Sequence, residues 1–471
     1  MGKQLHSILM AAVASLLGFL ISSIETTVHH SADILELEFG RSVVPWVPVA
    51  MVTSFGIAAL PCGVIATVQG ARLVSLTGGV VVTLGMLITA FAQSEIHVLI
   101  TYGIIMGIGC SLVYIGIYES VQIQFTTNRN IVYGILGCIS FLGYFTHPLI
   151  QNMIDMYHWR GTLLICTGIL MNILPLSCLL PGPSDRSDAP QPSSTQERLI
   201  SDMNQRPTVG TALIKRPNGI RLSARRDSED LQTLWNETNH ERHVFMKRSR
   251  ILAVMKIWRK TGFYALLFAI ILYGYGVSVI RGHIQQYVHE RSFEASPGSE
   301  VLTIVFGVSV CVLTLLQGGI TNYLLDPVYW YVILATVGGL LTFVLIIPLP
   351  LGIIFVYTAL LGMSFAGTGR EITASILINL AGEDNFAFPF GTCVFVSTLA
   401  MCLGSPSAGW VLQKAHSYKP VFAIAAVAMA MAAIIVFLLQ KKLKRTSLQL
   451  ERSRSRAFSD DESGVVLVTS L

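Results

Sequence analysis

Residues 181–260 begin PGPSDRSDAPQPSSTQERLI and end RSRILAVMKIWRK, and this polar stretch divides the chain. Everything before it from about His6, and after it to about Gln440, is overwhelmingly apolar. Each apolar flank runs to roughly 175 residues, enough for six helices of about 20 residues with short turns, the length needed to cross a bilayer. An apolar half, a polar linker and a matching apolar half predict an all-α membrane protein: twelve transmembrane helices in two pseudo-symmetric six-helix bundles. The units expected are 1–180, a linker over 181–260, 261–440 and a tail over 441–471.

Composition agrees. Charged residues make up 13% of the 471, about half the share found in soluble domains. So little charge cannot cover the surface of a soluble protein this long. The net charge of +5 comes largely from linker and tail. It reads as membrane orientation rather than as a surface for nucleic acid. The eight cysteines fall singly in apolar runs without metal-ligand spacing, so neither a metal nor a disulfide is expected. No nucleophile triad or phosphate loop appears, which argues against an enzyme and gives no reason to expect a cofactor.

Twelve spans are placed in order. The first six are His6–Val28, Val43–Gln69, Leu73–Ala92, Ile96–Tyr118, Asn130–Ile150 and Arg160–Leu180. The second six are Thr261–His283, Val301–Tyr323, Val328–Ile347, Ile353–Leu380, Phe388–Leu412 and Pro420–Gln440. The first run is too long for a signal-peptide core and is expected to stay as a helix. The linker holds fifteen Lys and Arg, and the tail opens with Lys441-Lys442-Leu443-Lys444-Arg445. The excess of basic residues on the cytosolic side of membrane proteins therefore places linker, tail and both termini in the cytosol, with segments 29–41 and 284–300 outside. The linker's Pro, Ser and charge predict disorder, except that Arg242–Lys260 alternates basic and apolar residues and predicts an interfacial helix.

Several motifs then fall in a familiar order. His158-Trp159-Arg160-Gly161 opens the sixth span. Gly404-Ser405-Pro406-Ser407-Ala408-Gly409 lies late in the eleventh, followed by Tyr418 and Phe422. Phe125 to Gly134 leads into the fifth, and Gly63 to Arg72 forms the turn after the second. His283, Tyr287 and Glu290 follow the seventh. Together these resemble the monocarboxylate transporter family of the major facilitator superfamily, across nearly all of the membrane part. The resemblance implies a plasma-membrane carrier that moves a small organic solute, foremost a monocarboxylate or related organic anion, by alternating access. It also implies a possible proton partner and a single-span immunoglobulin-like ancillary glycoprotein. The chain departs from the family in four places: the acidic-Gly-Gly-x-Gly-Trp start of the first span is missing, so is that span's usual Lys, Thr67 replaces the acidic residue of the turn after the second span, and the eighth span, Val301–Gln317, lacks the family's Asp and Arg. That leaves two alternatives, a facilitator of another solute such as an amino-acid-like compound, or a non-transporting sensor or scaffold.

An ionisable residue inside a span costs about 3 kcal/mol or more and marks a functional candidate. Arg370-Glu371 lies about eighteen residues into the tenth span, where Arg370 is expected to face a central cavity and bind an anion. Adjacent helical residues point about 100° apart, so Glu371 would turn to a neighbouring helix. The opposing reading is a structural ion pair. Phe365 and Tyr275 complete the candidate substrate-binding set. Glu25 is a candidate proton carrier or a plain helix-end marker. Arg281 and His283 are candidates for coupling or gating, or members of an interfacial belt. In the tail, Ser459 precedes Asp460-Asp461-Glu462 as a phosphorylation candidate. The ending Thr469-Ser470-Leu471 fits a ligand for a PDZ-domain protein.

Overall fold

The computed structural model describes residues 2–39, 44, 46–182, 258, 260–291, 298–347, 351–367, 369–382 and 386–466. Fourteen helices appear among them. In the first half they are α1 Gly2–Phe39, α2 Trp46–Gln69, α3 Ala71–Ala90, α4 Glu95–Gln124, α5 Arg129–Leu142, α6 His147–Leu170 and α7 Ile173–Cys178. The second half contributes α8 Thr261–Arg291, α9 Gly298–Tyr323, α10 Pro327–Val344, α11 Leu351–Gly367, α12 Arg370–Ala381, α13 Ala387–Ala415 and α14 Tyr418–Val466.

Eleven stretches among the described residues are long and apolar enough to cross a membrane, and Arg129–Leu142 is a shorter apolar helix. The turn at His158 makes this twelve crossings. There the backbone leaves helical values (φ 56°, ψ 169°) and the chain reverses. Before the turn, Asn130 lies beside Thr321, at the end where α3 begins. After it, Arg160 reaches the Ala92 carbonyl beyond the far end of α3, and Leu180 returns to Arg72 at its start. The fifth crossing is therefore α5, one 3-10 turn over Gly143–Thr146 and the first part of α6. The sixth is the rest of α6 with α7. Those two separate at Met171-Asn172, where Pro175 cannot donate to the carbonyl four residues back and its ring crowds it. Large apolar side chains such as Leu84, Leu315, Leu340 and Ile434 stand exposed around the outside, a surface suited to lipid and not to water.

Four boundaries differ from expectation. First, α1 does not stop near Val28 but runs to Phe39, about 57 Å at 1.5 Å per residue against a hydrocarbon core of about 30 Å. Its last turns are held by Glu38, which accepts from the Trp159 indole and pairs with Arg160 at 3.2 Å; the Trp-Arg-Gly motif thus anchors the end of α1. Second, α4 starts where expected but continues to Gln124 and contains a π-helical stretch, Leu99–Ile105. Third, the tenth span is not one helix. It divides into α11, ending at Gly367, and α12, starting at Arg370; Gly369 before Arg370 is extended, and a glycine costs a helix about 1 kcal/mol. Fourth, α14 passes Gln440 and stays helical to Val466, so Ser459 lies on helical backbone. Most of the linker, nearly all of Arg242–Lys260, and Thr469 and Leu471 lie outside the described residues.

The two halves meet along two seams, α2 against α13 and α5 against α9. Glycines bring the backbones together at the end that carries Arg72, Arg129 and Lys260, here called the basic end. A Cβ on Gly391 would sit 2.2 Å from the Ala59 carbonyl oxygen, and one on Gly63 2.7 Å from that of Ala387. Gly134 and Gly318 face each other equally closely across α5 and α9. Small residues permit such contacts between membrane helices. Gly70 makes the one-residue turn from α2 to α3 at φ 90°, a conformation a side chain would strain.

Overpacking a tight contact costs about 1–3 kcal/mol. Gly391→Ala should therefore lower stability by that amount in thermal unfolding of the detergent-solubilised protein. Gly352→Ala, with nothing within 4 Å of its added carbon, should stay within about 0.5 kcal/mol of the parent.

Candidate functional site

A cavity of about 610 Å³ lies between the halves. Its rim, away from the basic end, carries Glu25 of α1, Trp46 of α2, Arg281 of α8 and Ser405-Pro406 of α13. Its floor carries Tyr118 of α4 and Phe390 of α13. Below that floor the glycine seams bring the halves together.

The broken span sets the chemistry. Gly369 is extended (φ −68°, ψ −171°) and α12 restarts at Arg370, with Glu371 in its first turn. The first N–H groups of a helix have no intrahelical partner and carry a partial positive charge of about half a unit. Arg370, the first residue of α12, lines the cavity. Its guanidinium carbon lies 5.5 Å from the Phe55 ring and 5.1 Å from that of Tyr114. Such cation–π contacts contribute about 0.5–2 kcal/mol each and partly replace the water an arginine gives up. Arg370 was expected deep inside a helix; it begins one instead, because the chain leaves helical geometry at 369.

Glu371 turns away from Arg370, as the 100° step requires. It is buried and accepts a hydrogen bond from the Tyr118 hydroxyl at 3.1 Å. Its slot exists because Gly137 and Gly369 have no side chains: a Cβ on either would lie 2.9 Å from Glu371 atoms. An aromatic floor surrounds this pair. Tyr118 stacks on Phe390 at 4.6 Å and on Tyr133 at 5.5 Å, and Tyr114 lies 4.7 Å from Tyr118.

On the other wall, Arg281 lies 5.9 Å from the Phe306 ring and 5.8 Å from that of Phe365. Phe365 also meets Phe141 edge-on at 6.2 Å. Arg370, Glu371, Phe365, Glu25 and Arg281 therefore share one cavity. Two candidates do not. Tyr275 points to the opposite side of α8, into a groove with Leu403 and Ala423, and its hydroxyl accepts from Ser407 at 3.1 Å. Along α8 the cavity is lined by residues 270, 273, 274, 277, 278, 281 and 282, a face that residue 275 misses by about 200° from residue 273; Tyr273 takes the place expected of Tyr275. His283 is buried against α13, its Nε2 3.1 Å from the Ser405 carbonyl oxygen, so it packs behind the cavity wall. Reasoning from sequence also missed Phe55, Tyr114 and Tyr118. Cys110, Tyr114 and Tyr118 line the cavity at intervals of four, a helical stripe that could have revealed them.

The sequence pattern described as "Major Facilitator Superfamily" matches residues 5–385, well over half of the chain. The chain belongs to the Major Facilitator Superfamily. It is a multi-pass membrane transporter, not an enzyme. Among curated proteins it is similar to monocarboxylate transporter 9 of Rattus norvegicus, 23% identical over 446 residues, covering 85% of each chain. Monocarboxylate transporter 12 of Mus musculus is 23% identical over 381 residues, which cover 79% of this chain and 73% of that one. The expected likeness to monocarboxylate transporters thus holds, at low identity. Among solved structures the fold resembles the E. coli fucose:proton symporter, with TM-score 0.64 and 14% identity over 91% of this chain and 98% of that one. It also resembles the proton:xylose symporter XylE, with TM-score 0.63 and 14% identity over 92% and 96%.

A superfamily member whose cavity opens at one end only should show one-sided thiol labelling. In single-cysteine backgrounds, Trp46→Cys and the native, cavity-lining Cys402 should both react with an impermeant maleimide from the same membrane face. Cys62, buried in α2, should stay unmodified from either face.

Proposed function

We propose that this transporter carries a small organic anion, foremost a monocarboxylate, across the plasma membrane by alternating access. One observation carries the reading: Arg370, the first residue of α12, lines the central cavity. Half-helix N-termini inside carriers are suited to anionic groups, and a guanidinium adds two parallel donors that match a carboxylate. Arg370 in the tenth span takes over from the arginine missing in the eighth. Phe365 and Arg281 form the opposite wall, and Glu371 positions α12. The names of the monocarboxylate transporters it resembles support the choice of anion.

Basic residues collect at the closed end: Arg72 on the Leu180 carbonyl, Arg129 on that of Thr126 and Lys260 on that of Leu380. The positive-inside bias makes this end cytosolic, together with both termini and the linker, so the cavity faces outward. Glu25, on the rim of the cavity, is the candidate proton carrier, and Arg281 a coupling or gating residue. His283 belongs to the same reading only through its contact with α13. A single-span immunoglobulin-like glycoprotein and a PDZ-domain protein, the latter through Thr469 and Leu471, are the proposed partners, and Ser459 the proposed phosphorylation site. A second reading has its own support: Glu25 and Arg370 line the same cavity, an arrangement that also suits an amino-acid-like solute with charges of both signs.

Uptake of labelled carboxylates and amino acids into liposomes, with and without a pH gradient, separates the two readings. Hydrogen bonds to charged groups contribute about 1.5–3 kcal/mol. Arg370→Ala should therefore cut uptake of the carried carboxylate at least about tenfold below saturation, and Arg370→Lys, which lacks the fork, should recover it only in part. Parent-like uptake in both variants at normal protein levels would refute the anion site. Glu25→Gln should abolish any drive from the gradient.

A further inference from the structure

We propose that Cys138 and Cys311 form a paired-thiol site, which a peroxide converts to a reversible disulfide that ties the two halves of the carrier together. The residues are 173 positions apart in the chain, so their spacing in sequence gives no hint of a pair. Cys138 lies on α5, in the first half, and Cys311 on α9, in the second. Both are free thiols. The Cys311 thiol donates to the Cys138 carbonyl at 3.8 Å, and the two side chains interact directly with each other.

The α5–α9 seam brings them together. Gly307, Cys311, Thr314 and Gly318 recur at intervals of four, three and four, which places them on one face of α9. Contacts with the first half lie on both sides of Cys311 along this face. A Cβ on Gly134 would sit 2.9 Å from the Gly318 Cα, and one on Gly307 3.1 Å from the Phe145 ring. A disulfide needs Cα atoms within about 7 Å of each other, and helices packed through glycines approach that closely. Cys110, Cys393 and Cys402 line the central cavity, whereas Cys138 and Cys311 do not. A bridge between these two therefore acts on the seam and does not block the cavity.

Cys138 is half-buried and Cys311 buried, so Cys138 meets the oxidant first. Its sulfur attacks one oxygen of hydrogen peroxide. The O–O bond breaks, the second oxygen leaves as water with the thiol proton, and the sulfur becomes a sulfenic acid. The Cys311 sulfur then attacks the Cys138 sulfur. The S–O bond breaks, and the hydroxyl leaves as a second water with the Cys311 proton. Two thiols and one peroxide thus give one disulfide and two waters, and exchange with a small dithiol reverses the change. A carrier of this superfamily rocks one half against the other, and a covalent bond from α5 to α9 opposes that motion.

The test treats the full-length protein in liposomes with hydrogen peroxide and no solute, with every other cysteine replaced by alanine. Mass spectrometry should find the Cys138 and Cys311 peptides joined, lighter by two hydrogen atoms than the free pair and separated by dithiothreitol. The parent chain should give the same joined peptide, and Cys138→Ala or Cys311→Ala should abolish it. With about nine tenths of the molecules bridged, uptake of the labelled carboxylate or amino acid that the untreated protein carries should fall about tenfold, because a bridged molecule cannot complete the cycle. Reduction should restore it, and either alanine variant should keep its uptake through the same treatment. Absence of the joined peptide, or undiminished uptake by fully bridged protein, would overturn the proposal. The bridge forms without solute, so its failure leaves the anion site standing, and failure of the anion site leaves the joined peptide to decide the bridge.

Discussion

Hydrocarbon offers no hydrogen bonds, and every backbone N–H and C=O inside it must find a partner within the protein. That constraint decides where a helix may be broken. A gap facing lipid would strand several polar groups at a few kcal/mol each. The extended Gly369 avoids this because it lines the cavity. Gly369 still donates to the Ala366 carbonyl at 3.3 Å, and Thr373 to the Gly369 carbonyl at 3.2 Å.

The same constraint governs the charges. Arg281 and Arg370 stand on cavity walls, not on lipid-facing stripes, and each is lodged near two aromatic rings. Rings lower the cost of holding a guanidinium in a low-dielectric site without neutralising it. Glu371 has the opposite arrangement: enclosed by small residues and held by a hydroxyl, it is occupied with joining two halves.

Much of this was legible in the chain. Apolar runs and the polar linker gave the span count, since span length is fixed by bilayer thickness and is nearly independent of tertiary contacts. Arg370-Glu371 stood out because few charges lie in the spans at all. What stayed hidden depends on contacts distant in sequence. Nothing in the sequence marks Gly369 as the extended residue before α12. Tyr275 and Tyr273 are equally aromatic, and only the rotation of α8 about its axis, set by packing against α13 and α14, selects Tyr273. The extension of α1 depends on Trp159 and Arg160, some 120 residues later in the chain. Tyr118 escaped notice because nothing in its neighbourhood in sequence reveals Glu371 across the seam.

Two kinds of inter-half contact then divide the mechanical task. The α2–α13 and α5–α9 seams are backbone against backbone, close-packed, with little polar chemistry; they can slide or rock while keeping most of their van der Waals contact, which is short-ranged but not directional. The contacts of α12 with α4 and α5 are few, polar and directional, so they are lost within a fraction of an ångström of misalignment. A carrier built this way holds its halves together at the basic end by close backbone packing, with a small number of hydrogen bonds from α12 beside it.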